Sequence, residues 1–316
     1  MSILLLTSLA FANPIVNGAI ETDYPSVIAL GAKFNEVTFS ACTGNLITPR
    51  LVLSAAHCGG QIPKQLLIKR GLAFFGDSVD TAETSIGFDD ISVHPDYIEL
   101  ESTPGGTLGE YDLSILTLSE DAPYPASWLR TEPMIETEIE METVVSVGFG
   151  VDDGSAGTGG GVKRSAELTI DHLTDMHLVS NSQTNDNSAN ICGGDSGGPQ
   201  FFIAEDGREI QWSVHSWGDS NCTYNSGSTR IDIVSEWILD HVETVHGTRD
   251  LCEANGRYGD GICDEACDVI DQDCLEDTGD GAGDAAECGC QTGVASMRLV
   301  FLYGLLAAVF RRRKVC

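Results

Sequence analysis

Basic residues are scarce in this sequence. Of its 316 residues only 17 are Lys or Arg, against 48 Asp or Glu, for a formal net charge of −31. Phosphate backbones are held by clustered Lys and Arg, so the balance argues against a nucleic-acid partner. It describes instead a solvated, strongly acidic surface. Long apolar runs are scarce as well. The run Leu299–Phe310 holds 12 residues, short of the ~20 that a spanning helix needs unless Thr292–Arg298 contributes. Helical periodicity is weak over most of the chain, which leaves an antiparallel β-sandwich or barrel as the architecture to expect.

Cysteine and glycine are abundant, with 11 and 35 residues. So many cysteines fit an oxidising, extracytoplasmic compartment better than a reducing cytosol. Residues 1–12 contain an apolar run, Ile3 to Leu6, and end in Ala10-Phe11-Ala12, the pattern of a signal peptide with an A-x-A cleavage site, although no Lys or Arg opens it. Short β-branched runs follow, set apart by Gly, Pro, Asn and Asp. Val27–Leu30, Leu51–Ser54, Leu66–Lys69, Leu113–Leu118, Val144–Val147 and Ile210–Val214 read as strands. Val234, Trp237, Ile238, His241 and Val242 fall at spacings of three and four, predicting one helix over Val234–Val245. Asp152–Gly161 reads as a flexible surface loop.

Three segments carry chemistry. Gly193-Gly194-Asp195-Ser196-Gly197-Gly198-Pro199 sets a serine among glycines, where backbone amides can approach an oxyanion. Ala55-Ala56-His57-Cys58 puts a histidine directly after an apolar strand, and Asp112-Leu113-Ser114-Ile115-Leu116 puts a carboxylate at the mouth of another. Each alone would more often be structural. Together, in the order His, Asp, Ser, they resemble the trypsin/chymotrypsin family of serine proteases. That order differs from those of the subtilisin-like and α/β-hydrolase families. Ile15-Val16-Asn17-Gly18, Val93-His94-Pro95-Asp96-Tyr97 and Ser216-Trp217-Gly218 strengthen the resemblance, which spans Ile15 to His246.

The resemblance implies an all-β fold of two six-stranded antiparallel barrels packed together, with a C-terminal helix, in a peptidase domain over residues 15–247. It implies a serine endopeptidase with His57, Asp112 and Ser196 as the catalytic triad and an acyl-enzyme intermediate. The amides of Gly194 and Ser196 would form the oxyanion hole. Asp195 would pair with the α-amino group of Ile15 after removal of residues 1–14, so the enzyme would be made as a zymogen that needs an activating protease. The bond before Ile15 follows Pro14, however, and a two-residue propeptide, 13–14, would remain after signal cleavage. By the same resemblance Cys42 pairs with Cys58 and Cys192 with Cys222, while other bridges common in the family lack their cysteines. The specificity pocket would comprise Asn190, Ser216, Trp217 and Gly218, with Ser226 a less sure wall. Asn190 at the pocket base is neutral, so strict Arg or Lys preference is not expected. Catalysis needs no cofactor or metal on this reading, and the partners are protein or peptide substrates. The alternative is a catalytically silent, protease-like binding protein displayed at the cell surface.

Composition changes after Gly247. Cys252, Cys263, Cys267 and Cys274 allow three pairings, and the segment 252–274 lacks the paired CxxC knuckles of zinc sites. Its interleaved aspartates suit calcium, with a metal-free disulfide-stapled spacer as the alternative. Residues 275–296 form an acidic, Gly-rich linker, and 297–316 an apolar helix with a basic tail. Cys288-Gly-Cys290, the short apolar run and Arg311–Lys314 together resemble bacterial C-terminal sorting signals of the myxobacterial type. That resemblance implies an extracytoplasmic protein, secreted or attached to the membrane or cell surface through this tail, and the alternative is a simple permanent anchor.

Overall fold

The computed structural model describes residues 15–276 apart from 36, 61–63, 104–105, 182–188 and 220. The expected signal peptide, propeptide and apolar tail, and most of the expected linker, lie outside the described residues. Among the described residues no helix is long and apolar enough to cross a membrane.

The first half of the chain forms β1 (Ala19–Ile20), β2 (Val27–Phe34), β3 (Val37–Thr48), β4 (Leu51–Ser54), α1 (Ala56–Gly60), α2 (Lys64–Arg70), β5 (Gly71–Phe75), β6 (Thr84–Ile86), β7 (Phe88–Val93), β8 (Ile98–Thr103), β9 (Gly106–Glu110) and β10 (Ser114–Leu118). One sheet runs in the order β6-β5-β2-β3-β4-β10-β7, and β8 pairs with β9 in a separate hairpin. The four residues of β4 are all buried, as a strand covered on both faces must be. Ile28, Leu30, Leu46, Val52, Phe75, Phe88 and Leu116 pack together inside this sheet.

The second half adds β11 (Trp128–Leu129), α3 (Glu136–Ile139), β12 (Thr143–Gly148), β13 (Arg164–Leu173), β14 (His177–Asn181), β15 (Pro199–Ile203), β16 (Glu209–Gly218), β17 (Asn225–Arg230), α4 (Ser235–His246), α5 (Leu251–Ala254) and α6 (Asp273–Glu276). Strands β12, β13, β14, β17, β16 and β15 pair in a closed ring, with β1 and β11 added to it. This is the six-stranded barrel that the resemblance implies. The first sheet carries seven strands because the short β6 extends its edge.

Helix α4 closes the seam between the barrels. Val234, Ile238 and Val242 recur every fourth residue, and they are buried against Ile47, Leu51, Leu53, Leu113, Ile115 and Val214. The helix ends at Gly247, whose φ of 76° supplies the left-handed turn that stops it. The expected strand Leu66–Lys69 is a correction, because it lies inside helix α2. Lys64-Gln-Leu-Leu-Ile-Lys-Arg70 is built mostly of straight-chain residues with high helix propensity, and none of its side chains is fully buried. Only Leu67 packs partly against the barrel core.

Four disulfides join described cysteines. Cys42–Cys58 and Cys192–Cys222 are as the resemblance implies, and the C-terminal segment pairs Cys252 with Cys267 and Cys263 with Cys274. That segment packs on the barrels. Arg257 lies over the Trp128 ring at 3.5 Å and donates to Ala126 O at 2.9 Å, while Asn255 Nδ2 donates to Ile47 O at 3.2 Å.

Candidate active site

The three chemical segments meet where the two sheets face each other. Strand β4 runs out at Ser54, and the chain turns into α1, which presents His57. Asp112 sits in the short link between β9 and β10, fully buried. Its carboxylate takes three hydrogen bonds. His57 Nδ1 lies 2.7 Å from Oδ2, the His57 backbone N–H donates to Oδ1 at 2.9 Å, and the Ser216 hydroxyl donates to Oδ2 at 2.6 Å. A buried carboxylate is tolerable only when so paired. Around it, Ser114 Oγ donates to Ala55 O at 2.9 Å, and the His94 ring stacks on Tyr111 with centroids 4.9 Å apart. The link is therefore tied to both the His57 turn and helix α4, where Trp237 meets the edge of His94.

Ser196 comes from the second barrel, in the turn before β15, and is 4% exposed. Its carbonyl accepts from Thr43 N at 2.8 Å and lies 3.6 Å from Cys58 Sγ, beside His57. The turn needs its glycines. Gly194 adopts φ 97°, and a Cβ there would meet Gly150 Cα at 2.9 Å. Thr43 Oγ1 donates to Gly194 O at 2.9 Å and accepts from Phe149 N at 3.0 Å, which fixes the Gly194 peptide from below.

Asp195 is also fully buried. Gly150 N donates to Oδ1 at 2.8 Å and Cys192 N to Oδ2 at 2.9 Å, but among the described residues it forms no ion pair. Burial pushes its pKa up to about 7, against smaller lowering by these two amides and by the charge of Arg164. A side chain at Gly148 or Gly150 would collide with this carboxylate, which accounts for both glycines of Gly148-Phe149-Gly150. Ile15 is 1% exposed and packs with Ile139, Ala189, Ile191 and Trp212. Val16 bridges to Asn190 in antiparallel fashion, and Asn190 N donates to Val16 O at 3.1 Å. The Ile15 nitrogen is in the peptide bond to Pro14, so the chain as written offers Asp195 no α-amino group.

The sequence profile of the trypsin family matches residues 19–238, well over half of the chain. The chain belongs to the trypsin family. Among curated proteins it is similar to chymotrypsin-C of Rattus norvegicus, with 26% identity over 247 residues that cover 71% of this chain and 87% of the relative. It is similar to a trypsin of Saccharopolyspora erythraea, with 24% identity over 221 residues that cover 62% and 82%. It is also similar to the suppressor of tumorigenicity 14 protein homolog of Bos taurus, at 26% identity over 62% of this chain, and there the chain spans only 24% of the relative.

Within this trypsin-family fold, Ser216, Trp217 and Gly218 lie on β16 and Ser226 on the neighbouring β17, while Asn190 lies on neither strand. Gly218 pairs with Ser226 and Trp217 with Gly227. The Cys192–Cys222 bridge ties the Asn190 segment to the turn between these strands. Asn190 is 1% exposed, and its Oδ1 accepts from Ile191 N at 3.0 Å. Two residues have roles that the sequence does not show. Ser216 was expected only as pocket wall, yet its hydroxyl binds Asp112. His215 was not singled out, although its ring is fully buried with Nδ1 3.1 Å from Ser228 Oγ, and burial takes its pKa down to about 3. A histidine interrupting the apolar run before Ser216-Trp217-Gly218 was the available signal. Cys42, His57 and Cys58 gather potential metal-ligating atoms within 4.8 Å, but the disulfide removes both thiolates.

Proposed function

We propose that the protein is an extracytoplasmic serine endopeptidase acting through His57, Asp112 and Ser196. The observation that carries this reading is the chain of hydrogen bonds that holds His57 Nδ1 on Asp112, itself held by Ser216, beside the Ser196 turn. His57, with Nδ1 engaged by Asp112, offers Nε2 as the base that takes the Ser196 proton during attack on the peptide carbonyl. The same proton passes to the leaving amine, and water then releases the acyl group. On this reading the amides of Gly194 and Ser196 stabilise the developing oxyanion, where losing one donor typically costs ~3–4 kcal/mol.

The enzyme is made as a zymogen on this reading. Removal of residues 1–14 frees the α-amino group of Ile15, and the buried Asp195 gains the cation it lacks. Ile15 already lies in its buried site with Val16 on Asn190, which supports this switch. Pro14 before the bond points to an activator other than a trypsin-like protease. The four disulfides support a location outside the cytoplasm, and we assign residues 275–296 to a linker and 297–316 to surface attachment. In Cys252–Cys274 the carboxylates of Asp260, Asp271 and Asp273 accept nearby backbone amides, which favours a stapled structural appendage over a calcium site.

Ser196→Ala is expected to abolish peptidase activity and labelling by a fluorophosphonate while leaving the fold intact. Wild-type turnover by that variant on any peptide would remove the assignment. Mass spectrometry of the active form should find Ile15 at its N-terminus, and an active form beginning at Asn13 would refute the switch. The silent-relative reading predicts no labelling of Ser196 in the processed wild type.

A further inference from the structure

Three polar side-chain atoms, from the Asn190 segment and from strands β16 and β17, are buried without a partner among the described residues. They are Asn190 Nδ2, His215 Nε2 and Ser226 Oγ, on residues 1%, 0% and 1% exposed. Leaving one such atom unsatisfied costs stability, and three in one region point to a partner that arrives with a ligand.

The backbone places His215 and Ser226 on one strand pair, and a disulfide ties the Asn190 segment to it. His215 on β16 is paired with Ser228 on β17, and the ring Nδ1 lies against the Ser228 hydroxyl. Ser226 lies two residues from Ser228, so both project from the same face of β17. Asn190 lies two residues before Cys192, whose bridge to Cys222 holds it at the turn between β16 and β17. The His215 residue also backs directly onto the serine turn. Gly197 N donates to His215 O and His215 N donates to Gly198 O, each at 2.8 Å.

These atoms share one chemical character. Asn190 Nδ2 only donates, and its Oδ1 is already occupied by Ile191 N. The Ser226 hydroxyl donates, and His215 Nε2 donates whenever Nδ1 accepts from Ser228. The group contains no carboxylate. An aliphatic substrate side chain would leave all three unsatisfied, and Arg or Lys would bring further donors and a positive charge to a wall of donors. A carboxylate offers only acceptors, about four lone-pair sites on two oxygens.

We propose that the expected specificity pocket receives a carboxylate, so that the enzyme cuts after an acidic residue, with Asn190, His215 and Ser226 as its specificity determinants. This rests on the peptidase reading above and names its substrate class.

The test uses the processed full-length protein and matched peptides that differ only in the residue before the scissile bond, namely Glu, Asp, Gln, Leu and Arg. Active sites are counted with a fluorophosphonate. Per active site, kcat/KM for the better of Glu and Asp should exceed Gln, Leu and Arg by about 10-fold or more. His215→Val should cut the ratio of acidic to Leu cleavage by about 10-fold, and Asn190→Ala should lower the same ratio, so the result does not depend on one variant folding. Labelling of Ser196 together with a preference for Leu, Gln or Arg would overturn this inference alone, as would unchanged ratios in both variants. Failure of labelling would overturn the peptidase reading and this one with it.

Discussion

Asp112 and Asp195 are both fully buried carboxylates, and their surroundings give them opposite fates. Asp112 gathers the His57 ring, a backbone amide and the Ser216 hydroxyl. Asp195 gathers two amides and no ion pair among the described residues, so burial raises its pKa to about 7. A raised carboxyl pKa gives stability that is full below about pH 4 and lost as pH rises through about 7. The unprocessed chain should therefore lose stability over that window relative to Asp195→Asn, as read by urea unfolding at several pH values. Processing should abolish the difference in slope by supplying a cation. Ser216→Ala removes one charge-assisted bond worth ~1.5–3 kcal/mol from Asp112. The expected outcome is a fall in kcat of roughly 10-fold or more with KM little changed, measured by steady-state kinetics.

Among the elements, α4 was legible because one face repeats every three to four residues and Gly247 ends it. Its worth lies in the seam it fills. Ile238 is 1% exposed against residues of both sheets, so Ile238→Ala should cost ~2–5 kcal/mol in chemical denaturation. Turnover per folded molecule should be retained, since the side chain is remote from the reacting groups. Helix α2 was not legible as a helix. Three consecutive apolar residues, Leu66-Leu67-Ile68, fit a short buried strand as well as a half-exposed helical turn, and periodicity cannot decide over so few positions. What decides is the helix propensity of the flanking Lys, Gln and Arg.

Over the whole molecule, the C-terminal Cys/Asp segment lies against the barrels. The Trp128 ring is covered by Arg257 at 3.5 Å and Arg208 at 5.1 Å, and Leu251 and Ala254 pack on the cluster beneath α4. Arg257→Ala removes both the contact with the ring and the bond to Ala126 O, and it should destabilise the protein by ~1–3 kcal/mol. A thermal melt would show this as a lower Tm, and an unchanged Tm would mean that the segment merely rests on the surface. The sequence suggested a separate appendage here because composition shifts sharply after Gly247, and composition carries no information about docking.

By itself the sequence determined the order His57, Asp112, Ser196, the glycines around the serine, the barrel-forming strand pattern and the helix that becomes α4. These are local signals, set by residue type and short spacing. Tertiary structure decided which distant groups meet. It brought Ser216 to Asp112 across 104 positions, Thr43 to Gly194 across 151, and His215 to Ser228 across a strand pair. It also chose among the three pairings of the last four described cysteines. Hydrogen-bond partners so far apart are fixed by how the sheets close and pack, and no periodicity along the chain records that.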